Sequence, residues 1–150
     1  MTIKDFAKVL EGVAVYVESG NKHTYGIKIG NQLNNQGYMR IKGGRDTNTT
    51  GLYTENLYNY GELVIGGGVY GKNIHVNQKT ENNGTMRFTQ GGENIFNGEF
   101  TSAGYLILDQ QANVTFNNTV YAHSLVMDRY SQINHLPRLD IGQELSLIHI

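Results

Sequence analysis

The chain has 150 residues, 39% of them hydrophobic, which is enough for one domain with a core and too few to expect two. A net charge of −1, with lysines and arginines scattered rather than striped, excludes a broad electrostatic attraction for nucleic acid or an anionic membrane. The absence of cysteine excludes disulfides and thiolate metal sites, and no apolar run approaches the roughly eighteen residues of a membrane-spanning helix.

Nineteen glycines, one proline and ten tyrosines point to an all-β chain of short strands joined by tight turns. At the start, "TIKD" is similar to a helix-start capping box, and Phe6, Val9 and Leu10 share a helical spacing closed by Gly12, so residues 1–12 are a candidate N-terminal capping helix. The alternative for this segment is a first β-coil. The opening "MTIKDFAKVLEG" contains the acidic Asp5 and Glu11 and lacks an apolar signal stretch, so export would need a different beginning or an unrecognised route.

Beyond it the chain repeats itself. Val15 and Val17 begin an alternating strand; "NQGYMRI" (35–41), "NYGELVI" (59–65), "NNGTMRF" (82–88) and "SAGYLIL" (102–108) follow, each with apolar residues two and four places after a glycine. Those glycines, Gly37, Gly61, Gly84 and Gly104, are separated by 24, 23 and 20 residues, and Leu125 with Met127 lies 19 beyond the last pair. A second set of strands falls between them at Ile27/Ile29, Ile74/Val76 and Val114/Phe116, with weaker members near Leu52 and Ile95.

Period-two alternation inside a period of 19–24 residues predicts a parallel β-solenoid of about five to six coils over residues 1–144. A sandwich explains the strand spacing but not the repeated turn chemistry. The inward column is predicted as Val15, Met39, Leu63, Met86, Leu106 and Leu125. The glycine column is predicted to sit at positive φ, with Asn the next best residue, and His123 in place of the next glycine predicts a different turn there.

At the other end, "LSLIHI" (145–150) is similar to the translation of a transposase-type sequencing adapter, CTGTCTCTTATACACATC. On that reading Leu145–Ile150 carry no biology and the natural chain continues past about Glu144.

Chemical motifs are sparse. His23, His75, His123, His135 and His149 lack zinc spacing, "IGGGVYGK" (65–72) lacks the phosphate-loop pattern, and no nucleophile elbow exists, so no metal, cofactor or acyl-transfer site is expected. Sequons occur at Asn48, Asn83, Asn113 and Asn117, as an Asn- and Thr-rich chain yields by chance. Asp109 and Asp128 are the sharpest catalytic candidates: each follows the second apolar residue of its strand, and stacking would bring their carboxylates near 5 Å, suiting a retaining glycosidase pair or a shared Ca²⁺. The bland reading is two strand-end aspartates at a turn. Tyr38 and Tyr105 just after the glycine corner, with Tyr53, Tyr58, Tyr60 and Tyr70 in one pair of coils, are candidate ligand-binding rings, or simply cover the sheet.

The segment "NGTMRFTQGGENIFNGEFTSAGYLILDQ" (83–110) resembles repeats of bacterial autotransporter passenger domains: Gly84, Met86 and Phe88 match the first strand, Phe96 and Gly98 the middle one, and Ala103, Gly104, Leu106 and Leu108 the "N-A-G-x-L-x-L" strand. Filamentous-haemagglutinin repeats are similar. The resemblance implies a single-stranded right-handed parallel β-helix on the bacterial outer surface, a non-enzymatic stalk or adhesive fibre whose partner is a host or environmental glycan or protein. The competing class is a carbohydrate-active β-helix, a lyase or phage tailspike. "YLILDQQANVTFNNTVYAHSLVMDRYSQI" (105–133) also looks like the coils of bactofilins, which implies instead a cytoplasmic scaffold that self-associates end to end.

Overall fold

The computed structural model describes residues 1–20 and 24–148, and every regular element in it is a strand. The first coil holds β1 (Thr2–Ile3), β2 (Phe6–Val9) and β3 (Ala14–Glu18). Later coils fuse two sides of the winding into one long bent strand, so β4 (Tyr25–Asn35), β6 (Thr50–Asn59) and β8 (Lys72–Asn82) are each followed by a short one: β5 (Tyr38–Lys42), β7 (Glu62–Ile65) and β9 (Thr85–Phe88). The remaining coils hold β10 (Glu93–Phe96) followed by β11 (Phe100–Leu108), β12 (Asn113–Phe116) followed by β13 (Val120–Asp128), and β14 (Gln132–Asn134) followed by β15 (Leu139–Ile148).

All pairings are parallel and join equivalent stretches of successive coils. Three columns of strands result. Column A runs through β1, the first halves of β4, β6 and β8, then β10, β12 and β14. Column B runs through β2, the second halves of β4, β6 and β8, then the starts of β11, β13 and β15. Column C runs through β3, β5, β7 and β9, then the ends of β11, β13 and β15. The chain is a parallel β-solenoid of about six turns, and at about 4.8 Å per turn its strand stack rises roughly 29 Å.

The sequence register is reproduced: Val15 pairs with Met39, Met39 with Leu63, Leu63 with Met86, Met86 with Leu106, and Leu106 with Leu125. From Met39 to Leu125 these side chains are almost fully buried, while Val15, beside the first edge, is partly so. The coil shortens along the chain because the connections from column C to column A shrink, from residues 43–49 and 66–71 to 109–112 and 129–131. The later coils fill their interior with Phe88, Phe96, Phe100 and Phe116, whose ring centroids lie 5.0–5.8 Å apart, three of the contacts edge-to-face and Phe96–Phe116 stacked.

The core also holds amides. At the corner between columns B and C, Asn35 Nδ2 donates to Asn59 Oδ1 (2.9 Å), Asn59 Nδ2 to Asn82 Oδ1 (2.8 Å), and Asn82 Nδ2 to Ser102 Oγ (2.9 Å). Each amide also donates to the backbone of a following coil, Glu62, Thr85 and Tyr105 in turn. At the corner between columns C and A, Asn73 Oδ1 accepts from the Gly43 and Gly68 amides, while its Nδ2 donates to Gly91 O and Asn94 Oδ1.

Two expectations change. The capping helix over residues 1–12 is absent: Thr2–Ile3 and Phe6–Val9 are strands paired to β4, because an open strand edge satisfies more of that backbone than an isolated helical turn does. Gly37, Gly61, Gly84 and Gly104 are not at positive φ; the left-handed glycines are Gly12, Gly66, Gly67, Gly91 and Gly92. What excludes a side chain from the corner is the coil beneath, since a Cβ on Gly61, Gly84 or Gly104 would lie 2.0 Å from the carbonyl oxygen of Gly37, Gly61 or Gly84 respectively. Ile95 points outward, and the inward sites of β10 fall to Asn94 and Phe96 after a register shift at Glu93/Asn94. At His123 the turn does differ: Ser102 and Tyr105 pair with Ala122 and Ser124, so one residue spans the corner where two did before. The adapter-like tail has backbone paired in β15 as far as Ile148, and its last two residues, His149 and Ile150, lie outside the described residues, as does His23.

The two explanations of the glycine column diverge on substitution. A positive-φ site would accept asparagine, whereas a carbonyl contact excludes any side chain. Gly84→Ala and Gly84→Asn should both lower unfolding free energy by about 3 kcal/mol or more, read from urea midpoints; near-wild-type stability of the asparagine variant would contradict the contact.

Candidate functional site

Parallel stacking sets each outward side chain against its equivalents one coil away, so surface chemistry is organised in columns. On column A the outward positions run Lys28, Tyr53, His75, Ile95, Thr115 and Asn134. Tyr25 meets the Tyr53 ring edge-on at 6.0 Å and Tyr53 meets His75 edge-on at 5.2 Å, while Lys28 Nζ lies 5.2 and 5.6 Å from the two tyrosine centroids.

Beside the rings runs a second ladder. Tyr53 Oη donates to Glu55 Oε1 (2.7 Å) and Asn77 Nδ2 to Glu55 Oε2 (2.9 Å); Asn97 Nδ2 donates to Asn77 Oδ1 (3.3 Å), Asn117 Nδ2 to Asn97 Oδ1 (2.8 Å), and His135 Nδ1 to Asn117 Oδ1 (2.9 Å). Every donor points the same way, and the chain ends on a carboxylate, so the bonds polarise one another toward an anion. The Tyr53 hydrogen bond and then that of Asn77 hold the Glu55 carboxyl below its ordinary range. Burial, and then that same bond to Glu55, push the Tyr53 hydroxyl up to about 12.

His75 is tied to this ladder, its Nε2 accepting from Asn97 Nδ2 at 3.1 Å. Burial, and then the Lys72 charge, hold it below its ordinary value against the opposing pull of Glu55. Protonation would put a second donor against the Asn97 amide. That amide cannot turn around without losing its bonds to Asn77 and Asn117.

The catalytic candidates have other partners. Asp109 Oδ2 accepts from Arg87 Nη1 at 2.6 Å in a partly exposed ion pair. Asp128 closes the turn after β13, its Oδ1 accepting the Tyr130 and Ser131 amides and its Oδ2 the Gln110 amide. Ser131 first, then Gln110 and Tyr130, hold Asp128 below the usual carboxylate range, which suits a base and opposes a general acid. The two aspartates line one cleft with Arg87, Ile107 and Val126.

Four of the six candidate tyrosines, Tyr38, Tyr53, Tyr58 and Tyr105, already fall in three columns. Tyr38 and Tyr105 share a row on column C, separated by Glu62 and Thr85, hence about 14 Å apart by three strand spacings. Tyr38 packs on Tyr16 at 6.0 Å. Tyr53 belongs to column A. Tyr58 is on column B, where Lys79 Nζ lies 5.8 Å from its ring and bonds Glu81 at 2.9 Å. No single ligand surface unites them. Apart from the sequon at Asn117, the ladder residues Tyr25, Lys28, Glu55, His75, Asn77, Asn97 and Asn117 carry no local motif; their signal is the even 20-residue step from Asn77 to Asn97 to Asn117.

Comparison with family models, curated proteins and solved structures returns no match for the chain.

Because His75 binds its proton less readily folded than unfolded, its contribution to stability is complete above the unfolded value of about 6.5 and is lost as pH falls through the folded one. Urea midpoints should therefore fall from about pH 7 to pH 5, and His75→Gln should flatten that slope. Equal slopes in the two proteins would remove His75 from the ladder's energetics.

Proposed function

We propose that this chain is a non-enzymatic structural and adhesive β-solenoid segment of a bacterial cell-surface or secreted adhesin of the autotransporter type. Stacked coils make a rod, and its outward columns present side chains at fixed spacing to a glycan or protein surface outside the cell. The observation that carries this reading is the mixed ladder on column A, where Tyr25, Tyr53 and His75 rings stand beside Lys28, Glu55 and three asparagine amides, since ring faces with adjacent amides and charges are the groups that hold sugars and polar protein surfaces.

A second reading, a carbohydrate-active β-helix, is favoured by the cleft that gathers Asp109, Asp128 and Arg87. Against it stand the occupied oxygens: Arg87 takes one from Asp109, and three backbone amides take both from Asp128.

The two readings separate on purified protein. It should be retained on immobilised glycans or extracellular-matrix proteins and release no reducing ends from polysaccharide, and Asp109→Asn with Asp128→Asn should leave retention unchanged. Sugar release that disappears in either variant would reverse the assignment in favour of the enzyme.

A further inference from the structure

Column C carries a second outward surface, at the first two coils, with a different chemistry. Tyr16 pairs in register with Arg40 and packs against Tyr38, and at 75% exposure it is a ring with most of its surface in water. Along β5 the outward positions run Tyr38, Arg40 and Lys42, a span of about 13 Å at strand rise. Arg40 and Lys42 converge on one spot: the place a Cβ would occupy on Gly67 lies 3.5 Å from Arg40 Nη2 and 3.4 Å from the Lys42 stem. Arg45 lines a polar cleft of about 500 Å³ with Lys42, and the cleft also contains Ser19, which is 4% exposed and whose Oγ has no hydrogen-bond partner.

The charges there are unbalanced. Among the described residues Lys42 pairs with Glu18 at 3.4 Å, while Arg40 and Arg45 make no ion pair. Asp46, next in the chain, turns its carboxylate onto the Asn48 amides, and Glu62, beside Tyr38 in the next coil, makes no ion pair with Arg40. Of these three cations only Lys42 has a carboxylate partner among the described residues, in a chain whose net charge is −1. Holding guanidinium and ammonium groups together without counter-charge is unfavourable unless an anion joins them.

The geometry points to a binding site for an acidic saccharide: a sugar ring stacks on the Tyr16–Tyr38 pair while its carboxylate, or that of the next residue, takes the Arg40 fork and the Lys42 and Arg45 charges. Guanidinium matches a carboxylate in two parallel hydrogen bonds, and exposed tyrosine offers a rigid face to the C–H side of a pyranose. Three cations are too few to track a phosphate backbone, which separates this site from a nucleic-acid groove. The site deepens the adhesive reading and rests on it.

Uronate oligomers prepared from alginate, titrated into the full chain at low salt, are the probe. Binding is expected, weakened roughly tenfold by Arg40→Ala and by the exposed loop variant Arg45→Ala, and several-fold by Tyr16→Ala, with Lys79→Ala on column B as an unchanged control. It should be largely abolished at about 0.5 M salt and absent with neutral dextran. Alginate binding indifferent to Arg40 and Arg45, equal binding of dextran, or tighter binding of a thymidine oligonucleotide would overturn the site. If the chain is retained on other glycans or proteins but ignores alginate, the site fails and the adhesive reading stands. Retention on nothing at all removes both.

Discussion

The contact on which the rest depends is the one between successive corners of the winding, where a glycine Cα sits on the carbonyl oxygen of the glycine below and an asparagine amide bonds the asparagine below it. Asn35, Asn59 and Asn82 are at most 1% exposed, and an unpaired amide at that depth would cost about 1–3 kcal/mol. Asn35 and Asn59 bond the glycine two residues on in their own coil, and each of the three is further satisfied by the equivalent side chain of an adjacent coil and by a backbone carbonyl of the coil that follows. The apolar column supplies most of the stabilisation, but leucine, methionine and phenylalanine tolerate sliding better than a ladder of amides does. The asparagines therefore fix the register that the hydrophobic interior then rewards.

From that register come the outward columns. Coils of 24 residues at the start and 19–20 near the end differ in their connections and keep the three strand columns aligned, so the outward side chains of unlike coils still meet. The Glu55–Asn77–Asn97–Asn117 ladder outside mirrors the Asn35–Asn59–Asn82 ladder inside, with donors running the opposite way along the rod. The same stacking makes Tyr16 a neighbour of Arg40 and places Arg87 within reach of Asp109. Surface chemistry on this molecule is a consequence of coil length as much as of residue type.

The fold was largely legible, because inward alternation and the Asn-x-Gly corner recur at a countable spacing, and the column from Val15 to Leu125 follows from alignment alone. What misled is local. "TIKD" has the hydrogen-bonding pattern of a helix start, yet the open edge of β4 outcompetes it. Glycine at a turn reads naturally as a positive φ, but Gly61, Gly84 and Gly104 are required by atoms about 20 residues away, which no local pattern displays. The site was less legible still. Tyr38, Tyr53, Tyr58 and Tyr105 look alike in one dimension and fall in three columns, while Glu55 and the asparagines of its ladder become neighbours only after every coil length is known.

A disulfide trap reads the stacking most directly. Tyr58 and Glu81 are outward partners one coil apart on column B, and Thr101 lies one coil further on. At about 4.8 Å per coil, Tyr58→Cys with Glu81→Cys lies within disulfide reach, whereas Tyr58→Cys with Thr101→Cys, at about twice that distance, does not. Rapid oxidation of the first pair alone is the expected result. Equal trapping of both pairs, or of neither, would contradict a rod built from coils stacked in register.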